Sequence, residues 1–179
     1  MKIQSVLGVG LALLWCGAAL AQTPFSPTER DFSVAFVAAP TVQAPSSVED
    51  TVGSFRRYAT EEGGEAFVLT VDAYPAGFSA PAPTRAIYQR LAWAHANEPG
   101  VSMIGEGPAL VSGLPGWEGT YRTADGRTEF RHILMVANRI YQLSDIGAAT
   151  SANAEAFFDS FKVSPWAMAQ WREPVRSAG

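Results

Sequence analysis

The dipeptide Asp125-Gly126, set between Thr123-Ala124 and Arg127-Thr128, constrains this chain more than any other feature, because it predicts a two-residue hairpin turn with a strand on each side. Taken as that turn, it pairs Arg122 with Glu129, Tyr121 with Phe130, Gly119 with His132 and Trp117 with Leu134. One face then carries an ion pair and the other carries aromatic side chains. A second hairpin is predicted at Ala137-Asn138, leading into a strand over residues 139–146, where Tyr141 and Leu143 continue the aromatic face. It sets His132 opposite Leu143, or opposite Asp145 if Asn138-Arg139 forms the turn. Gly63-Gly64 predicts a third hairpin, with Tyr58 opposite Leu69 and Thr60 opposite Phe67.

Around these hairpins the periodicity changes. Phe32, Val34 and Phe36 alternate as a strand does, and Pro40 and Pro45 enclose the loop that follows. Residues 101–111 read as another strand, Gly113-Leu114-Pro115-Gly116 as a turn, and residues 117–123 as the strand after it. A helix is expected from Thr84, its N-cap, to Glu98, with Pro99-Gly100 as the stop. Its apolar stripe runs through Ile87, Leu91, Ala94 and the stem of Glu98, flanked by Tyr88 and His95, and Trp93 lies off it. A second helix is expected where Ala154, Phe157, Phe158 and Phe161 recur at helical spacing behind a Ser151 N-cap. The fold class is α+β: a twisted antiparallel sheet of six or seven strands with helices packed on it.

The first 21 residues have the form of a secretory signal peptide. Lys2 precedes an apolar run from Val6 to Leu20, and Ala19-Leu20-Ala21 ends it, so cleavage is expected after Ala21 and the protein is expected to be periplasmic or secreted. The run is too short and too rich in glycine for a membrane span, and Trp15 before Cys16 is too bulky for a lipid-attachment site. Without that segment the 179-residue chain keeps 158 residues, enough for one core. Residues 22–30 read as a leader, 31–163 as the folded domain and 164–179 as a C-terminal tail.

Cys16 leaves with the segment, which closes disulfide, thiolate and sulfur-ligated metal chemistry to the mature protein. Lys2 leaves as well, so 12 basic residues face 17 acidic ones, and a mature net charge of −5 argues against nucleic acid or an anionic membrane as partner. No nucleophile elbow, phosphate loop or metal spacing is present, and no metal or cofactor is expected. With His95 and His132 as the only histidines, a histidine-rich metal site is excluded, and a mixed His/carboxylate site stays open.

Two groups of residues stand out as candidate sites. The first is an aromatic pocket around Tyr121, Phe130, His132 and Tyr141, where a His132–Asp145 pair could orient a general base. The plainer reading of His132 is an imidazole filling the space over Gly119, buried and titrating below the ordinary value of about 6.5. His95 reads as a helix-boundary residue, and Arg122 with Glu129 and Arg57 with Asp72 as cross-strand pairs. The second group is Trp93, Trp166 and Trp171, apolar surface that packs within the chain or meets another envelope protein. No catalytic residue is assigned.

The pieces in order are Phe32-Ser33-Val34-Ala35-Phe36 before Pro40, Val71-Asp72-Ala73-Tyr74-Pro75, Leu114-Pro115-Gly116-Trp117-Glu118, Asp125-Gly126, the strand from Asn138 through Leu143, and Phe157-Phe158-Asp159-Ser160-Phe161. Together they resemble exported bacterial proteins with the PsbP-like fold over about residues 31–163. The stretch from Val37 to Ala39 departs from the Pro-Gly that often precedes that proline in relatives. The resemblance implies an antiparallel sheet with helices on both faces. It also implies a role in binding other proteins, as in a photosystem subunit and a nuclear-import regulator of that fold, and carries no catalytic motif. The favoured reading is a non-enzymatic periplasmic binding or accessory protein; the alternative is a small-ligand-binding protein or enzyme using the aromatic pocket.

Overall fold

The computed structural model describes residues 22–43, 54–74, 85–147 and 151–172, with side chains up to residue 169. In chain order the elements are β1 (Thr23–Phe25), β2 (Phe32–Phe36), β3 (Thr41–Gln43), β4 (Ser54–Glu62), β5 (Glu65–Ala73), α1 (Arg85–Ala96), β6 (Ser102–Val111) and β7 (Leu114–Arg122), followed by β8 (Thr128–Val136), β9 (Arg139–Gly147), α2 (Ala152–Ser160), β10 (Lys162–Val163) and α3 (Pro165–Arg172). Seven strands form one sheet in the order β3-β4-β5-β9-β8-β7-β6, and β1, β2 and β10 form a second, smaller one. Every pairing is antiparallel.

The turns set the registers. Gly63 and Gly64 both take positive φ, and Tyr58 faces Leu69 and Thr60 faces Phe67, as their spacing predicts. Val136 pairs with Arg139, so Ala137-Asn138 is the turn and His132 lies opposite Leu143. Between β6 and β7 the turn is Ser112-Gly113, both at positive φ, and Leu114 already pairs with Val111. The expected turn at 113–116 is therefore corrected: β7 starts three residues earlier than the proline and glycines indicated.

The Asp125-Gly126 register is also corrected. Arg122 pairs with Thr128, and the connection is a three-residue loop over Ala124, Asp125 and Gly126, closed by Thr123 N donating to Arg127 O at 2.9 Å and with Gly126 at φ +81°. Asp125 braces it, accepting from the Thr123 hydroxyl at 2.5 Å and from Arg127 Nε at 2.7 Å. One additional loop residue moves every pairing by one. Tyr121 now faces Glu129, Gly119 faces Arg131, Trp117 faces Ile133, and His132 faces Glu118. The space over Gly119 is filled by Tyr121, whose hydroxyl would lie 2.5 Å from a Cβ placed there. The expected Arg122–Glu129 pair does not exist. Arg122 donates to Gly126 O and Thr128 Oγ1, while Glu129 is buried on the opposite face. Arg57 faces Thr70, and Asp72 accepts from Gln142 instead.

Both faces of the large sheet are covered. On one, α1 packs Tyr88 and Ala92 over Trp117, Ile133, Met135 and Ile140. On the other, β2 and α2 bury Phe32, Phe36, Phe157 and Phe161 against Leu69 and Tyr141. Ser151 caps α2, accepting from Ala154 N at 3.0 Å. The buried stripe of α1 is Tyr88, Ala92 and His95, rotated from the expected one, and Ala94 is exposed. Polar bonds set that rotation. The Tyr88 hydroxyl donates to Pro115 O and accepts from Met135 N, its ring stacks on Trp117, and Tyr121 donates to Ala92 O. The helix ends at Ala96, so Glu98 is not part of it; Thr84 lies outside the described residues.

The leader, the segment after Pro40 and the tail are structured more than expected: Thr41–Gln43, expected as loop, pairs with β4 as an outer strand of the large sheet. Thr23–Phe25 adds a strand to β2, with Phe25 against Phe32, Phe36 and Tyr58. Beyond Val163 the chain forms α3, with Ala167 buried.

Candidate functional site

Period-two alternation puts Glu129 and Arg131 of β8, and Gln142 and Ser144 of β9, on the α1 face, with Arg131 directly opposite Ser144. His95, in the last turn of α1, reaches down onto them. Glu129 is 2% exposed and fully engaged: Oε2 lies 2.8 Å from His95 Nε2, and Oε1 accepts from the Ser144 hydroxyl at 2.7 Å and from Arg131 Nη2 at 2.8 Å and Nε at 2.9 Å. Arg131 Nη1 donates to Gln142 Oε1, and Gln142 passes the network on to Asp72. The Tyr121 ring closes the inner wall, edge-on to His95 at 4.7 Å and 6.0 Å from the Arg131 guanidinium.

Burial alone would raise the Glu129 carboxyl, but the His95 bond, the Arg131 charge and the Ser144 hydroxyl outweigh it and hold it down at about 2. Burial likewise works to lower His95, and the bonds to Glu129 and Glu98 overcome it, so its pKa is raised. Burial raises Asp72, and pushes Tyr121 up to about 12. The cluster is thus a buried triad, with His95 and Arg131 on either side of the Glu129 carboxylate.

Beside it the sheet opens into a cleft of about 410 Å³. Phe55, Arg57, Val68, Thr70 and Ile146 form one side, and Glu98, Val101 and Thr123 the other, with the cluster along its floor. The arrangement can hold a polar ligand in place. It does not set up a serine nucleophile, because Ser144 and His95 are bonded to different oxygens of one carboxylate and not to each other.

The residues of the expected aromatic pocket divide between the two faces of the sheet. Tyr121 is on the α1 face, whereas Phe130, His132, Tyr141 and Asp145 are on the α2 face, because the one-residue shift at the turn moves Tyr121 across the sheet relative to β8. Tyr141 is wholly buried and donates to Asp31 at 3.4 Å, and burial raises its pKa. His132 is half-buried against Phe158, ring centroids 4.2 Å apart, and burial lowers its pKa against the pull of Glu118 and Asp159. Asp145 is fully buried, faces Phe130, and is pushed up to about 7 by burial and by Glu65. No His132–Asp145 pair forms, since Leu143 and not Asp145 lies across from His132. His95, expected at a boundary, is 6% exposed and central.

The tryptophans do not form one patch. Trp93 is exposed on α1, and its indole shares the Glu106 carboxylate with Trp117. Trp166 is half exposed on the other side of the sheet, over Arg139. Trp171 lies in α3, its side chain outside the described residues. Glu129, Arg131, Gln142 and Ser144 went unrecognised in the sequence. Their signal was there, a polar residue at every second position of two adjacent strands, but only the correct register lines them up beside His95.

Among the described residues no helix is long and apolar enough to cross a membrane, and no group of His, Cys, Asp and Glu is placed to hold a metal ion. No family model and no curated protein matches the sequence. Among solved structures, the chain is similar to cyanobacterial PsbP (CyanoP) from Synechocystis sp. PCC 6803, with a TM-score of 0.55 and 12% identity over 90% of this chain and 99% of that one. A protein of unknown function from Pseudomonas aeruginosa, PA94, aligns over 87% of this chain and 97% of its own at 12% identity, with a TM-score of 0.39. With its seven-stranded antiparallel sheet held between helices, the chain has the PsbP-like fold.

Proposed function

We propose that this chain is an exported accessory protein of the bacterial envelope that acts by binding rather than by turning over a substrate, and that the cleft on the α1 face is its ligand site. The observation that carries this reading is the closed bonding of the cluster. Glu129 takes up His95, Arg131 and Ser144 together, so the charged groups are fixed as a scaffold and the one serine hydroxyl is spent on a carboxylate. The signal-peptide pattern of residues 1–21 supports export. The PsbP-like fold supports an accessory role by analogy only. Trp166, half exposed over Arg139, supports a second contact, with another envelope protein, and Trp93 on the opposite face would belong to a separate one.

The test is expression of the full chain in a Gram-negative host, followed by fractionation and native mass spectrometry of the purified protein. The expected species is a periplasmic chain beginning at Gln22 that carries a non-covalent small-molecule adduct lost on denaturation. Retention of residues 1–21 in the cytoplasmic fraction overturns export. A spectrum free of adduct overturns ligand binding.

A further inference from the structure

We infer that the α1-face cleft is built for a small organic carboxylate with an apolar body. The inference rests on the reading of that cleft as the ligand site. Its volume, about 410 Å³, is that of small-molecule sites. Its walls are of two kinds. Val68 of β5 and Ile146 of β9, one row apart on neighbouring strands, form an apolar strip bounded by the row of Arg57, Thr70 and Gln142, and Phe55 lies beyond that row, opposite Asp72.

The charge facing the cleft is what selects the ligand. Glu129 shows it almost nothing, being 2% exposed with both oxygens occupied. Arg131 is different. A guanidinium has five N–H donors, and Arg131 commits Nε, one hydrogen of Nη1 and one of Nη2, which leaves two free on a side chain still 17% exposed. On the other side of the strip, Arg57 is exposed and makes no ion pair among the described residues. The remaining carboxylate is Glu98 at the rim, and its Oε1 lies 3.1 Å from His95 Nδ1, which offsets it.

Two arginines with uncommitted donors therefore look onto an apolar strip. A planar carboxylate takes two parallel N–H bonds from such a group, and its hydrocarbon part covers Val68 and Ile146. A cation is repelled by the same pair. A bare phosphate satisfies the arginines and leaves the strip wet.

The experiment is an NMR titration of the ¹⁵N-labelled mature chain with octanoate and 4-phenylbutyrate, each beside its primary amide, and with inorganic phosphate. The acids are expected to shift the amides of Val68, Thr70 and Ile146 and to bind at least tenfold more tightly than the amides. Arg57→Gln, at an exposed position that leaves the fold intact, is expected to abolish that preference, while Asp159→Asn on the far face leaves it unchanged. Acid and amide binding the cleft equally overturns the carboxylate inference and leaves the cleft standing as a ligand site. Shifts confined to the α2 face, or none with any probe, overturn the inference; in that case the native adduct, traced to other residues or absent, decides the fate of the cleft itself. Phosphate displacing the acids at equal concentration overturns the role of the apolar strip.

Discussion

Glu129 bonds both His95 and Arg131 in a buried site, and its removal leaves those two side chains without their shared acceptor. Glu129→Gln is expected to cost roughly 3–5 kcal/mol, as breaking one side of a buried pair does, measured by urea unfolding. Its pH dependence follows from the signs. His95 has a raised pKa, so its contribution is complete below its ordinary value of 6.5 and is lost as the pH climbs through the higher folded value. Glu129 has a depressed pKa, so its contribution is complete above its ordinary 4.5 and is lost as the pH falls toward about 2. The pair stabilises most between those ordinary values, and Glu129→Gln should flatten both limbs. The chain's two histidines are also expected to titrate on opposite sides of 6.5, His95 above and His132 below, in a ¹³C-detected imidazole titration assigned with His132→Phe. His132 titrating above 6.5 would mean that Glu118 and Asp159 outweigh its burial.

At the scale of elements, the β7–β8 hairpin shows how one residue redirects a sheet. Gly126 at φ +81° has open space around a would-be Cβ, so Gly126→Ala is expected to cost only the left-handed strain, about 1–2 kcal/mol. Gly116 is the contrary case. Its Cβ would lie 2.7 Å from Ile133 O and 2.8 Å from Val111 Cγ2, against backbone that cannot swing away, so Gly116→Ala should reach about 3 kcal/mol or more. Thermal melts in which Gly126→Ala is the more damaging of the two would contradict the placement of the turn. The other hairpins tolerate no such shift, because a two-residue loop with positive φ leaves only one register.

The molecule as a whole depends on its ends. Phe25 and α3 complete the core on the α2 face, and Ser164 ties α3 to the smaller sheet by donating its N–H to Asp31 O, next to β2, at 2.9 Å while its hydroxyl caps Ala167 N. A mature chain ending at Val163 is expected to lose about 2 kcal/mol from the uncovered apolar surface, a fall in Tm of roughly 4–8 °C by calorimetry. An unchanged Tm would return α3 to the status of an unstructured tail. One outer strand of the large sheet, β6, is protected by its own composition: Pro108 removes a donor, and the register shift between Met103 and Gly105 breaks the ladder.

Local chemistry was enough to read the longer strands, the Gly63-Gly64 turn, the Ser151 cap and the Phe157–Phe161 stripe, because each follows from neighbours within a few residues; the short strands β1, β3 and β10 depend on partners far along the chain. The antiparallel sheet followed from the hairpins, and the PsbP-like likeness from the order of the pieces. The candidate site did not. Whether Asp125-Gly126 closes a two-residue or a three-residue loop depends on how Thr123 and Arg127 bond around Asp125, and that choice decides which side of the sheet Tyr121 shares with β8. The rotation of α1 was equally hidden, since hydroxyls of Tyr88 and Tyr121 reaching backbone groups far along the chain turn His95 inward. The sequence by itself determined the longer strands, the two main helices and the class of fold. The meeting of His95, Glu129, Arg131 and Ser144 was decided by tertiary structure alone, because a buried charge is stable only where its partners arrive from separate elements at hydrogen-bond distance.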